Sequence, residues 1–147
     1  MDHVEEFELQ GHAVDELLLQ AFALPQDAFT ARAADGGPSI RDLLVAWLEG
    51  QRRTAQASIL GREYHPLPAT SSVSVAEFAR AFGGFRLAFM ETIESAVDDG
   101  LERRVDWTAP DGTTQRVALD AALTHLAEHG GRLLDQVEAR LDEVAPR

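Results

Sequence analysis

The chain of 147 residues is 45% hydrophobic and 26% charged, with 25 acidic side chains, 13 basic ones and a formal net charge of −12. These totals describe one globular domain, residues 1–147, able to bury a real core, and they exclude a mainly disordered chain. The absence of cysteine rules out disulfides, thiolate metal sites and a cysteine nucleophile. The excess of acid also argues against nucleic acid as a partner, because phosphate binding needs clustered cations. Arg52-Arg53 and Arg103-Arg104 are only isolated pairs. The acidic start, Met1 to Glu6, does not resemble a secretory leader, and no apolar run approaches the roughly 20 residues of a membrane span. Cytoplasmic location without membrane contact is therefore expected.

An apolar stripe at Phe7, Gly11, Val14, Leu18 and Phe22 predicts a first helix from about residue 4 to 24, stopped by Pro25. A loop is expected from Pro25 to Pro38. Ser39 then caps a second helix, with Asp42 in the capping-box position. Ile40, Leu44, Trp47, Leu48, Ala55 and Ile59 form its core face, and Gly61 its stop. Two prolines and a Thr/Ser cluster make residues 61–73 a long crossing loop. Ser74 with Glu77 opens a third helix, residues 75 to 97, whose core side carries Phe78, Phe82, Phe85, Phe89 and Ile93. Gly83-Gly84 costs such a helix about 1 kcal/mol per glycine, so close packing or a kink is expected there. Residues 104–107 and 114–117 flank Pro110-Asp111-Gly112, a strong turn signal that predicts a short β-hairpin or extended loop. A fourth helix follows from about residue 118 to 144, with a seam of Leu119, Leu123, Leu126, Gly130, Leu133, Val137 and Leu141. The fold class is all-α, a four-helix bundle.

The stretch around His125 and His129 holds the most chemistry. Residues four apart share a helix face, so two imidazoles could approach one zinc ion, although a site needs at least one more ligand. At about 100° per residue, His129 borders the seam and His125 turns toward solvent. A border histidine beside an exposed one is the simpler reading.

Ser39-Ile-Arg-Asp-Leu-Leu-Val-Ala46, the element order, the Trp107-Thr-Ala-Pro-Asp-Gly112 segment and the His-x-x-x-His of the last helix together resemble the DinB/YfiT-like superfamily. The resemblance covers nearly the whole chain. It implies a bundle with a divalent metal held by three histidines, one on the second helix and two on the last. Carried onto this chain, those positions fall on Ala46, His129 and Leu133, and His125 matches an upstream histidine that is not normally a ligand. Alanine and leucine have no donor atom, and one imidazole cannot hold zinc usefully. No metal or other cofactor is therefore expected; if a site exists, His129 and His125 would take zinc or nickel, with Glu128, His12 or Glu49 moving in.

The expected outcome is a metal-free relative that binds a small molecule in a pocket of Ala46, Trp47, His129 and Leu133, or that assembles as a homodimer. The alternative is a metal-dependent thiol transferase, isomerase or hydrolase with a rearranged site that includes His129. No catalytic residue can be named. Ser58, Ser71, Ser72 and Ser74 lack a nucleophile-elbow context. Glu5-Glu6 and Asp98-Asp99 read as solvated helix ends. The Gly-Gly pairs at 36–37, 83–84 and 130–131 lack phosphate-loop spacing. Tyr64 and His65 sit where they could line a pocket mouth.

Overall fold

A computed structural model describes residues 2–145, with the backbone alone at 71 and 72. Helix α1 spans His3–Phe22, a short α2 spans Gln26–Thr30, α3 spans Ile40–Arg53, α4 spans Val75–Asp99 and α5 spans Leu119–Val144. A π-helical stretch, Thr54–Ile59, prolongs α3, and a single 3-10 turn, Ala69–Ser72, precedes α4. Strands β1 (Arg104–Thr108) and β2 (Thr114–Ala118) pair antiparallel, with Trp107 opposite Gln115. The molecule is thus mainly helical with one small sheet.

Helices α1, α3 and α4 start where a short side chain satisfies free backbone amides. Asp2 Oδ1 accepts from Glu5 N at 2.8 Å, and Ser74 Oγ accepts from Glu77 N at 3.1 Å. At α3 the box is reciprocal: Ser39 Oγ accepts from Asp42 N at 3.0 Å, and Asp42 Oδ2 accepts from Ser39 N at 3.3 Å. Such caps contribute about 1 kcal/mol each. The hairpin turns at Gly112, whose φ of 90° suits a residue without a Cβ.

Helices α1 and α3 each lie against both α4 and α5. Their apolar faces make two clusters. One gathers Val14, Phe29, Ile40, Leu44, Phe78 and Val137. The other gathers Phe7, Ile59, Phe89, Ile93, Val105 and Leu123, with Phe7 and Phe89 edge to face at 5.5 Å. Fully burying each such side chain stabilises the fold by about 1.5–3 kcal/mol. A polar bridge joins the clusters. Trp47 Nε1 donates to Gln10 Oε1 at 3.0 Å, and Gln10 Nε2 donates to the Ala127 carbonyl at 2.8 Å. Gly130 makes room for it, since a Cβ there would stand 2.6 Å from Gln10 Oε1.

Three local expectations need correction. The segment after Pro25 is not all loop, because α2 forms there and buries Phe29 completely. Phe22 leaves the core and is 55% exposed; it sits about 60° round the helix from Phe7, and Ala21 takes the inward place. Gly83 and Gly84 have no close neighbour among the described residues. The helix is continuous, and a Cβ at either would meet open space.

Candidate functional site

Helix α3 turns Ala46, Glu49, Gly50 and Arg53 to one side, at the three- and four-residue spacing of a helix face. Helix α5 brings Leu126 and His129 to meet them, and the hairpin closes the far wall with Trp107, Thr108 and Pro110. These residues enclose a hollow of about 220 Å³. On its hairpin wall, Trp107 stacks with the exposed His125, ring centroids 5.3 Å apart and planes 24° from parallel.

Ala46 and Glu49 also border a second hollow, of about 430 Å³, between α3 and the crossing loop at Pro66, Leu67, Pro68 and Ala69. Glu49 holds this loop in place. Its Oε1 accepts from Leu67 N at 3.1 Å and from Arg52 Nη1 at 3.4 Å. Arg52 also donates to the His65 carbonyl at 3.1 Å. Tyr64 is half-buried under two guanidinium groups, with Arg53 Cζ 5.0 Å and Arg52 Cζ 5.9 Å from its ring centre. His65 itself is exposed.

The half-buried His129 imidazole is held below the ordinary value of 6.5, first by burial and second by the positive charge of Arg132. It faces the hollow neutral at pH 7, with a ring nitrogen free to accept a hydrogen bond.

The expected pocket residues divide between two places. Ala46 and His129 share the hollow. Trp47, 3% exposed, turns inward to Gln10 and borders a separate cavity of about 50 Å³ between α1, α3 and α4. Leu133 packs in the core against α1 and α3 side chains at 7% exposure. Both positions correct the expectation of one shared lining, because an inward apolar residue reads alike in sequence whether it fills a core or walls a pocket. The wall residues missed from sequence are Glu49 as a loop tether, Arg53 and Trp107. The spacing of Ala46, Glu49 and Arg53 was a usable signal; the approach of the hairpin was not.

The same geometry tests the metal that the resemblance implies. Ala46 and Leu133 carry no donor, Glu128 is exposed, and His12 lies on α1 beside Arg86. Among the described residues, no group of three or more His, Asp or Glu side chains is placed to hold a metal ion. A zinc site needs three or four donors, and this set does not fit one. Ser58 is buried and Ser74 is a helix cap; the Ser71 and Ser72 side chains lie outside the described residues. No helix among the described residues is long and apolar enough to cross a membrane.

No family model matches the chain, and no curated protein matches it. Among solved structures, it is similar to a DinB-like protein from Bacillus cereus ATCC 10987, at 17% identity and a TM-score of 0.68. The match covers 99% of this chain and 95% of that one. The chain therefore has a DinB-like, mainly helical fold.

Proposed function

We propose that the protein is a metal-free member of the DinB-like four-helix bundles that uses the hollow beside His129 to bind a small organic molecule. The observation that carries this reading is the donor set. Where the resemblance implies three convergent histidines, this chain sets one neutral imidazole, a methyl group and a core leucine. What is left is a concave site with apolar walls at Ala46, Trp107, Pro110 and Leu126 and a few polar groups, the usual composition of a ligand pocket. The same reading keeps the protein in the cytoplasm with neither nucleic acid nor membrane as partner.

Self-association is part of the proposal. Helices α1 and α4 lie side by side and expose Leu19 at 73% and Leu87 at 71%. Gly83 and Gly84, with open space where a Cβ would stand, would let a second copy approach α4 closely. Sedimentation should give a dimer that Leu87→Glu dissociates, and a monomeric wild type would remove this part.

Two measurements test the site. Elemental analysis of protein purified without added metal should find far less than one zinc or nickel per chain; a stoichiometric ion would overturn the reading. Screening small aromatic and aliphatic fragments against isotope-labelled protein should move the Trp107 indole resonance, and Ala46→Phe should suppress the shift by filling the hollow.

A further inference from the structure

We propose that the hollow beside His129 selects an anion: a small planar carboxylate whose charge meets Arg53 and whose ring lies against Trp107. This rests on the reading of the hollow as a small-molecule site and adds the chemical class of its ligand. The evidence is a mismatch between donors and acceptors in the walls. The acids are occupied. Glu49 Oε1 takes Arg52 and the Leu67 amide, and Asp42, in the adjoining hollow, takes Arg41 Nη2 at 2.8 Å and the Ser39 amide. Arg53, in the same wall, is not: it has neither an ion pair nor a hydrogen bond among the described residues.

Arg53 differs in this from comparable arginines. Arg41, Arg52, Arg86 and Arg140 are also half-buried, and each is paired, with Asp42, Glu49, Asp15 and Glu143 respectively. The remaining described arginines are exposed, where water solvates a guanidinium without help. A partly desolvated cation normally keeps a counter-ion, and a planar fork of donors fits a carboxylate best. The Tyr64 ring 5.0 Å away holds the fork in position before any ligand arrives.

Size and shape agree. An engineered cavity of roughly 150 Å³ accepts benzene, so about 220 Å³ takes one ring with a substituent. The indole of Trp107, stacked with His125, lines the hollow and offers the ring a flat wall. The net charge of −12 does not forbid this, because charges beyond about 8 Å are largely screened at physiological salt.

Benzoate and its neutral counterpart benzamide are the probes, titrated into isotope-labelled full-length protein while both tryptophan indole resonances are followed. Benzoate should shift Trp107 and leave Trp47 unmoved, binding about tenfold or more tighter than benzamide. Arg53→Gln should bring benzoate down to the benzamide level, and Arg53→Lys, which keeps the charge but not the fork, should fall between. Equal affinity for the two probes in the wild type, or undiminished benzoate binding by Arg53→Gln, would overturn the anion assignment while leaving a small-molecule site. If neither probe moves Trp107 at millimolar concentration, both readings fail. The wild-type comparison of the two probes stands even if a variant does not fold.

Discussion

Replacing Gly130 by alanine sets two known effects against each other. Alanine favours a helix interior over glycine by about 1 kcal/mol, and α5 runs unbroken through this position. The added Cβ, however, would stand 2.6 Å from Gln10 Oε1 and 3.2 Å from Trp47 Nε1. Gln10 is 6% exposed and Trp47 3%, so neither can turn to water without opening the core. Displacing Gln10 breaks both hydrogen bonds of the bridge, and each buried group left unpaired costs about 1–3 kcal/mol. Less the helix gain, Gly130→Ala should lose about 1–5 kcal/mol, which near the middle lowers Tm by roughly 10 °C for a chain of this length. Gly131→Ala is the internal control. Its Cβ would lie 4.0 Å from Gln10 Nε2, an ordinary contact, so it should gain up to about 1 kcal/mol. Urea unfolding at constant m-value reads both. A double-mutant cycle with Gln10→Ala should show that the Gly130→Ala penalty shrinks once Gln10 is gone. If Gly130→Ala is as stable as the wild type, the bridge does not depend on close approach and the steric account is wrong.

Other outcomes follow from the same contacts. His129→Gln should change stability by no more than about 1–2 kcal/mol, and calorimetry showing a much larger loss would mean that the imidazole does more than border the hollow. Because the folded value of His129 lies below 6.5, the unfolded chain takes up the proton first as pH falls. Its contribution is therefore full above about pH 6.5 and declines as pH drops toward the lower folded value. His129→Gln should remove that slope, seen as a smaller difference between urea midpoints at about pH 7.5 and about pH 5.5. Ser39→Ala should cost about 1 kcal/mol by removing the cap of α3. The Asp42 carboxyl is held below 3.8, chiefly by the hydrogen bond from Arg41. Its contribution is present above that pH and lost as acid titrates the folded group, so Asp42→Asn should flatten the acid limb of the stability curve. Phe29→Ala should cost about 3–5 kcal/mol, measurable by thermal unfolding, although its helix is five residues long; a loss under about 1 kcal/mol would show that the α2 segment does not hold the core.

Local physics was legible in the sequence. Ser39 with Asp42 and Ser74 with Glu77 mark helix starts because a cap joins residues three apart. The α5 seam from Leu119 to Leu141 is buried throughout, because its spacing keeps those residues on one face. Pro110-Asp111-Gly112 gives the hairpin because a tight turn depends on its own few residues. Only the tertiary structure decided what depends on the meeting of distant segments. Gln10 reaches a carbonyl 117 positions away, and nothing local to Gly130 announces that it exists for that contact. Phe29 is core because of what covers it, not because of a stripe. Trp47 fills the interior while Trp107 walls the hollow, and Arg53, beside His129, has no counter-ion among the described residues. Periodicity tells inward from outward along one element, but it carries no information about which neighbour an inward side chain will face.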